Sequence, residues 1–533
     1  MTDPYRGSTY DVPADAPRDP GIVGDVIAQF ADPKAFYREL VQNSIDAGSP
    51  SVQIELHYDD SAHKLRIAVR DRGEGMTRDV VENQLLVLFR STKEQDRTKI
   101  GKFGIGFVSV LAPNPEVVIV TTARDQRRVA LHLYRDLSYE LFDAGPASQN
   151  GTTVELEVTL APEQVAEFVR DSELSLLRWC RHASVPIEFT VHVLGEVATR
   201  RIDTPLALTD AIVEVRRTTD DGQLTAVVGI GTAQMPYVGF FNHGLTLYET
   251  TSPLVGNVAA KIQDARLGHT ISRDDVRRDK HFERAIEFAR TLAEVDLPRA
   301  VASELRAAAE AGDDTRYAAL ADAIVLAELE LPMASWWFPL VEPFGGRHAI
   351  AATELGTRVW VSMHSSPVTA ALTTQGTPVL RGSGESLLLA TLRYAVSEVH
   401  TELTLITPVD GTDADVALLA ALEQVLDVAH RPPTSIMIAK LDGARADRLA
   451  VAGTGSLQHV VDREEAGRDP FAFLRRRVLV LSAEHPHMRA ARRGDPVVAA
   501  SHLARAVLLE HGLLDEDRSQ AILDHVLERV ESE

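Results

Sequence analysis

The stretch "ELVQNSIDAG", residues 39–48, sets a carboxylate, an amide and a second carboxylate at Glu39, Asn43 and Asp46. It lies within "PKAFYRELVQNSIDAG", where Asp32 is placed to cap a helix, Pro33 suits the first turn and Gly48 stops it. At ~100° per residue the three polar groups span an arc of roughly 60°, directly beside Phe36, Leu40 and Ala47. The stripe therefore borders the core rather than facing away from it. Charges half out of water need partners, and a metal bound to a polyphosphate supplies them; a solvated helix face is the other reading of the triplet by itself.

Composition narrows the classes. The 533 residues exceed one core, so three or four units are expected. With 55 Lys and Arg against 77 Asp and Glu the formal charge is −22, which opposes non-specific binding to nucleic acid or an anionic membrane. One cysteine, Cys180, excludes an internal disulfide framework and a multi-cysteine metal site; it reads as a packed small hydrophobe in a reducing compartment. The first residues, "MTDPYRGSTYDVPADAPRDPG", lack the pattern of a secretory leader, and no run reaches the ~18 apolar residues of a membrane span. A cytoplasmic protein with a loose arm over 1–20 is expected.

After the first helix, "SVQIELHYDDSAHKLRIAVRDRGEGMT" gives two alternating strands, Val52/Ile54/Leu56 and Leu65/Ile67/Val69, and "EVVIVTTAR" and "TTVELEVTL" give more. The pattern over 21–200 predicts an α+β sandwich with an antiparallel sheet. A second α/β unit over 201–414 contains "LTAVVGIGT", "VGFFNHGLTLYET" and the long charged helix pattern "DKHFERAIEFARTLAEVDLPRAVASELRAAAEAG". Residues 415–533 alternate again and end in two helical patterns, "DPVVAASHLARAVLLEHG" and "DEDRSQAILDHVLERV". There is no internal repeat.

The strand ending at Val69 runs into "DRGEGM", which places Asp71 at a strand end ahead of Gly73, Gly75 and Met76. The two glycines permit positive φ and close approach of a ligand to the backbone. "KIGKFGIGFVSVLAP" then places Gly101, Gly104 and Gly106 before an apolar helix pattern, whose amides suit an anion. Lys93, Lys99 and Lys102 cluster beside this loop in a chain that otherwise prefers arginine; point-like ammonium groups suit phosphate, and a solvated loop is the plainer reading of Lys99. No G-x-x-x-x-G-K-[ST] occurs, which removes the P-loop reading.

In order and context, "ELVQNSIDA", "DRGEGM" and "GKFGIGF" resemble three motifs of the GHKL ATPases, and "GTTVEL" at 151–156 resembles the fourth. The resemblance implies an N-terminal GHKL (Bergerat) α/β sandwich that binds ATP and Mg2+. It implies Glu39 as general base, Asn43 as magnesium ligand and Asp71 as acceptor for the adenine amino group. Thr152 assists Asp71 through its hydroxyl, and Gly73, Gly75, Met76, Lys93, Gly101, Lys102, Phe103, Gly104, Ile105, Gly106 and Phe107 line the nucleotide. Asp46 reads as an adenine-side residue of the pocket or as a local cap.

Three later stretches resemble the HtpG-type chaperones, the heat shock protein 90 family. "HTISRDDVRRD" looks like the catalytic loop of their α/β middle domain and implies Arg273 as an intramolecular arginine finger; a pairing with Asp274 or Asp275 is the alternative. "TRVWVSMHSSPVTAALTTQGTPVLRG" is similar to their strand, Ser-Pro turn, helix and strand. "RVLVLSAEHPHMRAA" with "HLARAVLLEHGLL" looks like their small α+β C-terminal dimerisation domain, whose His-Pro turn accounts for His485. Ile522, Val526 and Val530, with Leu523 and Leu527 adjoining, make an apolar face that the resemblance assigns to a homodimer. The family implies an ATP-dependent chaperone acting on unfolded or partly folded clients. Trp336, Trp337 and Phe338 read as a buried aromatic cluster, or else as a client-binding patch. The segment between Met76 and Gly101 is shorter than the usual chaperone lid. Two other functions stay open: a MutL-like ATP-gated nucleic-acid clamp, opposed by the charge, and an ATP-switched interaction protein of a stress or defence system.

Overall fold

The computed structural model describes residues 33–86, 104–232, 236–268, 275–429, 433–454, 460–462 and 477–532. The chain is mixed α and β throughout and divides into two compact units, Met1–Leu297 and Pro298–Glu533. No helix among the described residues is long and apolar enough to cross a membrane.

The first unit opens with helix α1 (Phe36–Asp46) and an eight-stranded sheet. Its strands are β1 (Val52–Asp59), β2 (Lys64–Asp71), β3 (Val117–Arg124), β4 (Arg127–Tyr134), β5 (Tyr139–Pro146), β6 (Gly151–Thr159), β7 (Ile187–Val193) and β8 (Glu196–Arg201). They lie in the order β5-β4-β3-β6-β2-β1-β7-β8, antiparallel except where β1 meets β7. The expected alternation is realised. Val52, Ile54 and Leu56 on β1 and Leu65, Ile67 and Val69 on β2 are all buried, and the register pairs Ile54 with Val69. One face of this sheet packs on α1 and on α2 (Pro162–Cys180), whose Phe36, Tyr37, Leu40, Leu176 and Cys180 join the same core. Cys180 is a packed small hydrophobe as expected; burial pushes its thiol up to about 12.

A second sheet follows in the order β12-β11-β13-β10-β9, from β9 (Ala211–Thr218), β10 (Leu224–Gly231), β11 (Tyr237–Asn242), β12 (Leu245–Thr250) and β13 (Ala259–Asp264). A buried polar joint ties it to the end of α2. His182 Nδ1 lies 3.1 Å from the Thr204 carbonyl and Nε2 lies 2.9 Å from Lys261 Nζ, which also donates to the Ala207 carbonyl at 2.8 Å. The carbonyl and the ammonium fit a neutral ring, with the proton on Nδ1 and the lone pair on Nε2. The pattern read as one long charged helix is two helices, Lys280–Thr291 and Leu297–Ala311, separated by a π-helical turn over Leu292–Asp296. Pro298 explains the break, since it has no amide to give to the carbonyl one turn earlier.

The second unit holds two five-stranded sheets. In one, parallel strands Arg358–Ser362 and Val379–Arg381 are joined through helix Pro367–Thr374, which Ser366 caps at the expected Ser-Pro turn. Trp336 and Phe338 are buried, and the Arg306 guanidinium lies 4.2 Å from the centroid of the Trp337 ring. This is the buried-cluster reading, not an apolar patch. In the other sheet, strand Arg477–Ser482 leads to the His485 cap of helix Pro486–Ala491. There Arg492 Nε meets the buried Asp415 at 2.7 Å; burial raises that carboxyl, but hydrogen bonds from Arg492 and Thr412 outweigh it and hold the pKa below its usual value. The C-terminal apolar stripe is split. Ile522 is wholly buried in the unit's own core, while Leu523 and Leu527 on helix Glu516–Ser532 are exposed. The one-position offset rotates the free apolar face by about 100° from the expected one.

Burial, with Lys261 adding to it, lowers the His182 pKa to about 4. An unfolded histidine binds its proton below ~6.5, whereas the folded ring resists protonation until about 4. Stability is therefore full above the unfolded value and is lost as pH falls through this window, by on the order of 2 kcal/mol. Chemical denaturation of the parent and of His182→Gln between these limits should show a shallower pH slope for the variant. Identical slopes would remove His182 as the cause.

Candidate functional site

Helix α1 ends at Asp46 because Gly48 turns left-handed, φ +71°, while the Ala47, Gly48 and Ser49 amides satisfy the last carbonyls. That stop puts Asn43, Ser44, Asp46 and Ala47 on the wall of a cavity of about 340 Å³. The opposite wall is the end of β2 and the turn after it. Leu40, Val69, Val80, Leu85, Phe107, Val120 and Val154 make much of the lining apolar, and Asn43, Asp46, Asp71, Glu74 and Arg124 are among its polar members.

Asp71 is one of these polar members and is held by the backbone. The Gly73 amide at 2.8 Å and the Thr152 amide at 3.2 Å both donate to its Oδ1. Burial raises its carboxyl above the ordinary value, against the lowering pull of those two amides and the Ser44 hydroxyl. Oδ2 keeps its capacity to accept a donor.

Thr152 acts differently from the expectation. Its amide serves Asp71, and its hydroxyl lies 3.1 Å from that of Thr122. The β2–β6 register, Arg70 opposite Thr153, brings the Thr152 backbone to the end of β2. Thr122 Oγ1 in turn accepts the Met76 amide at 2.8 Å, which fixes the start of the segment after the glycine turn.

The glycines serve the chain's own packing. A Cβ on Gly73 would lie 2.6 Å from the Ala47 Cβ, and one on Gly75, at φ +67°, would lie 2.0 Å from the Ala123 carbonyl oxygen. Gly75 and Met76 are on the cavity wall. Gly104–Phe107 is a short helical turn continued by a 3-10 turn, Val108–Leu111, so the described part of the glycine loop is itself helical. Gly106 accepts from the Ser109 hydroxyl and Phe107 lines the cavity; Ile105 lies on the same turn.

Asn43 lines the cavity, and its side-chain amide makes no hydrogen bond among the described residues. Its oxygen is thus available to a hard cation. Asp46 is exposed and accepts from Gln42 at 3.0 Å. Glu39 sits one turn before Asn43, outside the cavity lining, with its side chain 12% exposed and its carboxylate 3.9 Å from the Arg38 guanidinium. Lys93, Lys99, Gly101, Lys102 and Phe103 lie outside the described residues, as do Asp32 and Arg273.

Sequence reasoning missed Thr122, Ser44 and the ion pair of Arg124 with Glu74 at 3.2 Å, all of which border the site. Thr122 had a signal: it continues the inward alternation of Val118 and Val120 as a buried hydroxyl.

Residues 35–144 match the family model for histidine kinase-, DNA gyrase B- and HSP90-like ATPases. Among curated proteins, the chaperone protein HtpG of Porphyromonas gingivalis is 26% identical over 186 residues, which is 30% of this chain and 26% of that protein. HtpG of Idiomarina loihiensis is 27% identical over 189 residues, 30% of this chain and 29% of that one. HtpG of Natranaerobius thermophilus is 32% identical over 107 residues, 18% of this chain and 17% of the other. The chain thus spans between about a sixth and three tenths of the length of these relatives. The ATPase-like segment holds α1, the Asp71 turn, Thr122 and the Gly104 turn; Thr152 comes from just beyond it.

Gly75→Ala forces a methyl onto the Ala123 carbonyl at a positive φ, and should destabilise the first unit by about 2 kcal/mol or more. Thermal or denaturant unfolding of the variant checks this, and a loss under 0.5 kcal/mol would contradict the close approach.

Proposed function

We propose that this chain is an HtpG-like, ATP-hydrolysing chaperone that works as a dimer. The observation that carries the reading is Asp71: a half-buried carboxylate on the wall of a largely apolar slot, held by two amides on one oxygen, with the open amide of Asn43 in the same lining. A planar base with an exocyclic amine fits beside Asp71, because an apolar wall takes its faces and the carboxylate takes its donor. The described lining carries Asp46, Asp71 and Glu74 against Arg124, so the phosphates need cations from outside it. The resemblance assigns Lys93, Lys102 and Mg2+ at Asn43 to that task.

In this reading Glu39 accepts the proton of the attacking water, and its shielded position beside Arg38 keeps competing solvent away. Asn43 contributes its oxygen to Mg2+, which when bound offsets phosphate charge during transfer. Arg273 stabilises the charge that develops on the γ-phosphate. ATP drives motion only insofar as it binds one arrangement of the dimer better than another. The partner surface is proposed on the exposed Leu523 and Leu527, and the cargo is unfolded or partly folded protein.

Steady-state ATP hydrolysis with Mg2+ should fall ~10²-fold or more in Glu39→Ala, fall also in Arg273→Ala, and nucleotide binding should survive in both. If Arg273→Ala turns over like the parent, the arginine-finger assignment is wrong although the nucleotide site stands. Sedimentation should give a dimer for the parent and a monomer for Leu523→Glu/Leu527→Glu. A monomeric parent would remove the dimer.

A further inference from the structure

The first sheet carries a second cavity, of about 350 Å³, on the face turned away from α1 and α2. Its lining comes from the outward members of the strand alternation: Gln53 on β1, Arg70 on β2, Thr121 on β3 and Thr153 on β6, each next in sequence to a residue buried on the other face. Arg72 and Arg128, both exposed, bring the arginines of the lining to three, and Gln149 and Asn150 belong to it as well.

The charge balance of this cavity is unlike that of the chain. The protein carries −22 overall, yet the described lining holds three arginines and a single carboxylate, Asp71, whose Oδ1 is already taken by the Gly73 and Thr152 amides. Arg70 is 3.1 Å from Glu55. Arg72 and Arg128 make no side-chain hydrogen bond or ion pair among the described residues; Arg72 is fixed through its backbone, whose amide donates to Ser49 Oγ at 2.9 Å. Like charges around one concavity repel one another and attract a counter-charge.

We propose that this cavity binds a small phosphate-bearing anion. Guanidinium forks match phosphate oxygens in pairs, and three of them around a polar hollow favour a compact multiply charged group. Thr121 and Thr153 bring hydroxyl donors to the same lining. The scarcity of apolar lining argues against an anchored peptide side chain. The site needs no nucleotide on the other face, so the proposal stands apart from the ATPase reading. Asp71 and Thr152 border both cavities, so the test must tell the two apart.

Calorimetric titration of the full chain with pyrophosphate and, separately, with ribose 5-phosphate does this when run on the parent and on Arg72→Gln/Arg128→Gln, each with and without saturating Mg-ADP. The parent should bind at least one probe saturably, the arginine variant should bind it about tenfold or more weakly, and the parent's binding should persist in the presence of Mg-ADP. Pyrophosphate alone would indicate a polyphosphate occupant, and ribose 5-phosphate a phosphorylated sugar. Circular dichroism of the arginine variant shows whether it is folded, and Arg128→Gln alone replaces it if it is not. The proposal falls if the parent binds neither probe. It falls equally if the arginine variant binds like the parent, or if Mg-ADP abolishes the parent's binding.

Discussion

A carboxylate taken out of water at the end of β2 sets the terms for its surroundings. Asp71 is desolvated enough for its pKa to rise, so it needs donors, and the chain provides them from its backbone. Those two amides require the turn at Gly73 to press on the end of α1 and the start of β6 to meet the end of β2. Gly151 shows how close that meeting is: a Cβ there would lie 2.4 Å from the Asp71 carbonyl oxygen. The packing of the first unit at this corner is thus arranged around one acid.

From that constraint the remaining parts of the site take their places. The stop of α1 at Gly48 aims Asn43 and Asp46 at the cavity, and the Glu74 amide closes the corner by donating to the Ala47 carbonyl at 2.9 Å. Thr122 links β3, β6 and the Met76 turn through its hydroxyl. A ligand that engaged Asp71 would accordingly be sensed by α1, by the sheet and by the segment leading on from Met76. Occupancy of the cavity would bias these neighbours only insofar as the ligand favours one arrangement of their contacts over another.

Much of this corner was legible in the sequence, because it rests on periodicity and on residues with special backbone needs. Val52 to Leu56 and Leu65 to Val69 declared their strands by alternation, and Gly48 and Gly75 marked left-handed turns. What was illegible runs through the backbone or through register. Thr152 was expected to act by its hydroxyl, yet only the pairing of β2 with β6 reveals that its amide does the work. Gly73 and Gly75, read as room for a ligand, also make room for Ala47 and Ala123, which only the packing reveals. The stripe at Ile522 looked free because its intramolecular partners, Leu503 among them, are distant in sequence.

The most direct measurement is calorimetric titration of Mg-ADP into the parent and into Asp71→Ala. The account predicts one saturable site in the parent and a loss of affinity of ~10²-fold or more in the variant, as for a buried charge-assisted hydrogen bond. A parent that does not bind Mg-ADP, or an Asp71→Ala protein that binds it as tightly as the parent, would contradict it.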